Sequence, residues 1–207
     1  MTHRSLFVAL LVTAGVAHAE SPVKAQRLAT DAKLPAGIKP SGKRVIAVWS
    51  YTGPKNSQGH LVLSSTTSSS KAGETRKLFA QLYTGAKPKQ VRQVQDAVTN
   101  CKLDMTASFV DGSIAFDDVD GDDKVEASFA YDLGCDATER PTPRKLLVLE
   151  GAAKHIIRGN GRGKDLDGNP TGGDYKSEGF KGEDALATWA NGRWAELLDT
   201  AAVNVDP

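Results

Sequence analysis

Between residues 105 and 158 the chain repeats one rhythm: a short run rich in β-branched and aromatic residues, then a turn signal. The runs cover residues 105–110, 113–116, 124–131, 145–150 and 154–158. Between them stand Asp111 with Gly112, Asp120 with Gly121, Gly134, Pro141 and Pro143, Gly151 and Gly159. Gly and Asp accept the backbone angles of tight turns, and Pro fixes φ while removing a donor, so these residues end strands rather than extend them. Connections this short join antiparallel neighbours, and the segment predicts an antiparallel meander.

The flanks fill in the rest of the fold. Residues 43–51 and 60–66 are two more β-rich runs around the turn residues 52–59, which predicts a hairpin. Residues 75–83 read as a third strand, although Leu78, Phe79 and Leu82 also fit helical spacing. Val91, Val94 and Val98 recur at i, i+3 and i+7, so residues 89–100 are expected to form an amphipathic helix. The serine- and threonine-rich residues 64–70 read as a mobile loop. Residues 20–43, with Pro22, Pro35 and Pro40, form an extended lead-in with a short helix over 23–32. Near the C-terminus, residues 183–199 place Ala185, Leu186, Trp189, Ala190, Trp194, Leu197 and Leu198 on one face, behind Glu183 and Asp184 where a helix dipole favours acids. The expected fold is α+β: mainly an antiparallel sheet packed by a C-terminal helix, in a single domain over residues 44–207.

Residues 1–19 read as a secretory signal peptide. Arg4 precedes an apolar run over residues 5–16 that ends at Ala17, His18 and Ala19, an A-x-A cleavage pattern. The run is shorter than the roughly 20 residues that span a bilayer. The expected location is periplasmic or secreted, with no membrane segment after cleavage. Lys and Arg (26) nearly balance Asp and Glu (25), with no basic stripe interleaved with aromatics, so nucleic-acid binding is not expected. The only two cysteines, Cys101 and Cys135, are expected to pair in an oxidising compartment and to contribute roughly 3–4 kcal/mol through loop closure. Neither lies in a C-x-x-C pair or beside a His, so a zinc site is not indicated.

The sharpest chemical motif is Asp118, Asp120, Gly121, Asp122, Lys124 and Glu126. Carboxylates at positions 1, 3 and 5 converge when Gly121 lets the chain turn tightly. The backbone carbonyl of Lys124 at position 7 and the carboxylate of Glu126 at position 9 then complete a cage of hard oxygens, which is calcium chemistry. An EF-hand is excluded, because its position 12 falls on Phe129 and strand-like sequence flanks the loop. Asp123 stands where position 6 usually holds Gly, and Asp117 adds a further charge. A weaker copy occurs at Asp165, Asp167 and Asn169. His60 and His155 have no nucleophile motif beside them, and residues 159–164 fail the phosphate-loop spacing. No catalytic residues are predicted.

Taken in order, Cys101, Phe109, the Asp118-to-Glu126 loop, Phe129, Tyr131, Cys135 and the runs at 145–150 and 154–159 resemble a family of exported bacterial proteins of uncharacterised activity, linked by its label to surface polysaccharide biosynthesis. The loop itself is similar to the D-x-D-G-D-x-x-x-[DE] calcium loops of integrin-type (FG-GAP) β repeats. The resemblance implies an envelope location, paired cysteines and an acidic hairpin loop, and names no reaction. The expected function is a non-catalytic, structural calcium-binding protein with a cell-envelope role and an envelope glycan or another exported protein as partner. The alternatives are a calcium-dependent enzyme acting on envelope glycans and a binding or inhibitory partner of another exported protein.

Overall fold

The computed structural model describes residues 23–29, 32–136, 141–164, 167–182 and 184–200. The expected signal peptide lies outside the described residues. Two antiparallel sheets carry the chain. The first is a meander in the order β1-β2-β3-β4-β5, built from β1 (Lys24–Arg27), β2 (Arg44–Thr52), β3 (Gln58–Ser70), β4 (Gly73–Thr84) and β5 (Lys89–Cys101). The chain continues through β6 (Met105–Phe109), β7 (Ala115–Asp117), β8 (Glu126–Cys135), β9 (Pro143–Glu150) and β10 (Ala153–Asn160). With β13 (Tyr175–Glu178) they form the second sheet, ordered β13-β10-β9-β8-β6, in which β7 pairs the start of β8. A ribbon of β11 (Arg162–Lys164) and β12 (Pro170–Gly172) precedes the helix α1 (Ala185–Leu197). The expected class, α+β with mainly antiparallel sheet and a C-terminal helix, is the observed one.

Side-chain alternation explains the layers. Leu61, Leu63, Leu78, Ala80 and Leu82 of the first sheet meet Ala127, Phe129, Tyr131, Leu147 and Leu149 of the second in one core cluster. The alternate residues Ala130, Leu146, Val148 and Ile157 face the other way and pack on Leu186, Ala190, Trp194 and Leu197 of α1. Covered on both faces, β9 reads as an unbroken apolar run from Leu146 to Leu149. Asp184 caps α1 by accepting the Ala187 N–H at 2.7 Å. At the other end of α1, Arg144 forms a bidentate pair with Asp132 (2.7 and 2.8 Å) and donates to the carbonyl oxygens of Leu197 and, at 2.6 Å, Thr200. One buried guanidinium thus ties the helix end to the sheet. The Cys101–Cys135 disulfide (S–S 2.11 Å) clamps the end of β5 to the end of β8, joining the two sheets.

Three local expectations are corrected. Residues 89–100 are strand β5, not a helix. The register slips between Leu82 and Tyr83 leave Val91 in a bulge, and it packs against the same core as Val94. The inward position two residues on is Asp96, which accepts from the Tyr131 hydroxyl (3.1 Å) and pairs with Lys145, so the alternation is broken by one half-buried polar group. Residues 64–70 belong to β3 rather than to a loop. Ser64 Oγ accepts the Gly42 N–H and Thr66 Oγ1 the Lys43 N–H, both at 3.0 Å, so the hydroxyls anchor the lead-in. In the lead-in, the short helix expected over 23–32 is replaced by β1, which takes up the ladder of β2 from Trp49 to Thr52. Farther along, Leu28, Leu34 and Ile38 cover Val48, Val62 and Tyr83 on the outer face of the first sheet.

Candidate metal centre

The acidic segment is the hairpin loop between β7 and β8, closed by the register pair of Asp117 and Glu126. It turns where Gly121 (φ 73°) and Asp123 (φ 69°) enter the left-handed region. Asp is among the few residues with a Cβ that adopt this conformation readily, which explains how position 6 dispenses with Gly. The Asp123 carboxylate then pairs with Lys55. Inside the loop, Asp120 Oδ1 accepts the Asp122 N–H at 3.2 Å and Asp122 Oδ1 the Lys124 N–H at 2.9 Å, two successive Asx turns. Glu126 Oε2 accepts the Val119 N–H at 2.7 Å across the base of the loop.

These turns gather the carboxylates. Asp118, Asp120 and Glu126 bring oxygens within 4.8 Å of one another, and so do Asp122, Glu126 and Glu150, so each group can hold a metal ion. Glu126 belongs to both groups and is only 1% exposed. Its Oε1 and the Oδ1 of Asp118 are buried and accept no hydrogen bond. A buried carboxylate oxygen without a donor costs several kcal/mol when ionised, and a cation is the simplest compensation. Burial, joined by the charges of Asp120, Glu150 and Asp122 and opposed by the Val119 N–H, pushes the Glu126 pKa up to about 7. The donors are all carboxylate oxygens, a set that suits hard cations over metals that prefer thiolate or imidazole.

Of the five predicted positions, Asp118, Asp120 and Glu126 converge as expected, while Asp122 lies in the second group. Lys124 accounts for the split: its ammonium pairs with Asp122 and, at 2.9 Å, with Glu150 Oε1. The side-chain bond from Lys124 is also the main reason that the Asp122 carboxyl titrates below its ordinary range. Glu150 escaped the sequence reading. It stands directly opposite Glu126 in the β8–β9 ladder, and like charges in that position destabilise a sheet unless something positive lies nearby. Its only sequence signal is an acid ending the apolar run of β9, and the register that makes it meaningful is a property of the fold.

Asp117 is half-buried and accepts the Asp118 N–H at 2.9 Å. In the weaker acidic copy, Asp165 lies outside the described residues, and Asp167 and Asn169 are exposed. Both histidines of the sheets have structural contacts: His60 Nδ1 meets Ser50 Oγ at 2.9 Å, and His155 Nδ1 donates to the Gly179 carbonyl at 2.8 Å while its ring packs on Phe180. Comparison of the chain with protein-family models, curated proteins and solved structures finds no match.

Proposed function

We propose that this is an exported, non-catalytic protein whose β7–β8 loop binds one calcium ion as a structural element, with a role at the cell envelope linked to surface polysaccharide. The observation that carries the reading is the pair of buried, unpartnered oxygens on Asp118 and Glu126 beside the Asp120 carboxylate. Calcium suits such a site because it accepts several carboxylates in irregular geometry, whereas Mg²⁺ demands a near-ideal octahedron and keeps its water. The strands that the ion would pin lead straight into the core: Phe116 precedes the loop, and Val125 and Ala127 flank Glu126. A carboxylate 1% exposed is poorly placed to meet a substrate, which favours a structural role over catalysis. Export is supported by the Cys101–Cys135 bridge, since disulfides persist in oxidising compartments. Among the described residues no helix is long and apolar enough to cross a membrane. The envelope role rests on the sequence resemblance.

Thermal unfolding in millimolar calcium, in equal magnesium and in chelator tests the proposal. Calcium is expected to raise the midpoint well above the other two conditions, and Asp120→Ala to abolish the rise. An unchanged midpoint, or a rise that survives Asp120→Ala, overturns it.

A further inference from the structure

Lys124 enters the calcium motif only through its backbone carbonyl at position 7, yet its ammonium lies among the carboxylates of the loop. It pairs with Asp122 and donates to Glu150 Oε1 at 2.9 Å. Those two acids, with Glu126, are the second carboxylate group, whose oxygens lie within 4.8 Å of one another, the same spacing that defines the first group. Strand register brings two of them together, since Glu126 and Glu150 stand opposite each other in the β8–β9 ladder. Three carboxylates this close repel one another unless positive charge lies on them. The chain supplies that charge itself.

The ammonium does not serve all three acids. Glu126, the member shared with Asp118 and Asp120, is 1% exposed, and among the described residues its Oε1 accepts no hydrogen bond from Lys124 or any other donor. Lys124 thus neutralises the two more exposed carboxylates and leaves the buried one to the first group. One divalent ion together with one ammonium offsets three of the five carboxylate charges in the two groups. A second divalent ion has to displace a tethered competitor whose effective concentration is on the order of millimolar. That matches the roughly 10⁻⁴–10⁻³ M dissociation constants of extracellular calcium modules, so the tether suffices to keep the ion out.

We infer that the loop holds two cations of different kinds: a divalent ion among Asp118, Asp120 and Glu126, and the Lys124 ammonium between Asp122 and Glu150, where it closes a second divalent site. The inference rests on the calcium site of the β7–β8 loop and adds what limits that site to one ion. It also divides the labour of the two carboxylate groups, which their spacing alone leaves equivalent.

Equilibrium dialysis against calcium up to the millimolar range counts the ions bound by the wild type and its variants. One ion is expected for the wild type and two for Lys124→Met, the second with a Kd of roughly 10⁻⁴–10⁻³ M. Lys124→Gln is expected to behave in the same way and stands in should the Met variant not fold. Lys124→Arg, which keeps the charge, is expected to stay at one ion, and Glu150→Gln added to Lys124→Met to return the count to one. Glu150→Gln in the otherwise unchanged chain relieves the repulsion opposite Glu126, and is expected to keep one ion with a Kd less than about fivefold weaker. No ion in the wild type refutes the calcium site itself. One ion in the wild type and still one in both neutral variants of Lys124 overturns only the role of the ammonium. Two ions in the wild type or in Lys124→Arg, or loss of the wild-type ion in Glu150→Gln, overturns it as well.

Discussion

Glu126→Gln is expected to stabilise the metal-free protein and to abolish its response to calcium. In the metal-free protein the buried Glu126 carboxyl has its pKa raised from 4.5 to about 7. An acid with a raised native pKa stays protonated in the folded state after the unfolded chain has ionised. The metal-free fold is therefore most favoured below about pH 4.5 and loses stability as pH rises through the window from about 4.5 to about 7. At 1.36 kcal/mol per unit, the difference between 4.5 and about 7 amounts to about 3 kcal/mol lost by neutral pH. Gln keeps the shape, removes the charge, still accepts the Val119 N–H through its oxygen, and places an NH₂ donor among the Asp118 and Asp120 carboxylates. In chelator at about pH 8 the variant should exceed the wild type by up to about 3 kcal/mol, or about 6–12 °C in midpoint for a chain of this size. In calcium the wild type gains about 2.7 kcal/mol at a hundredfold excess over Kd, which nearly closes the gap, while the variant gains almost nothing. Scanning calorimetry of both proteins in chelator and in calcium measures all four midpoints. A variant less stable than the wild type in chelator, or an equal calcium response in both, refutes the reasoning.

The same titration predicts proton release: calcium binding at about pH 6 should displace up to one proton per ion from Glu126 and almost none at about pH 8, seen by calorimetry in buffers of different ionisation enthalpy. Arg144→Ala leaves the Asp132 carboxylate buried without its partner and uncaps the end of α1, and should cost about 3–5 kcal/mol in a denaturant titration. Replacing Cys101 and Cys135 by Ser opens a loop of 34 residues, with an expected loss of about 4 kcal/mol, or about 8–16 °C in midpoint. Desolvation lowers the His60 pKa below its ordinary 6.5, so the folded state resists protonation. Stability is then lost as pH falls below about 6.5, and His60→Gln should flatten that part of the stability–pH curve.

The meander was legible because each of its turns is marked by Gly, Pro or Asp and each strand by β-branched or aromatic residues. The apolar face of α1 was legible for the same local reason, while Asp184, expected only as an acid favoured by the helix dipole, is its N-cap. What stayed hidden depends on pairs distant in sequence. Asp96 faces inward only because Tyr131 and Lys145 meet it from the other sheet, and that inward carboxylate disguised β5 as a helix. Arg144 looks like a surface residue until the end of α1 arrives above it. At the acidic loop the spacing of Asp118, Asp120 and Glu126 announced their convergence, because all three lie on one tight turn. Glu150 and the ammonium of Lys124 entered through strand register, which no local pattern encodes. The serine-rich stretch misled in the other direction: composition suggested a loop, yet a ladder against β4 and bonds to the lead-in satisfy it as strand.

Isothermal titration of the metal-free protein with calcium at about pH 7.5 tests the central claim most directly. The expected result is one ion per chain, with an affinity in or above the range of extracellular modules, roughly 10⁻⁴–10⁻³ M, and no saturable heat from Asp118→Asn or Glu126→Gln. A wild-type protein that gives no saturable heat, or binding that survives both substitutions, contradicts it.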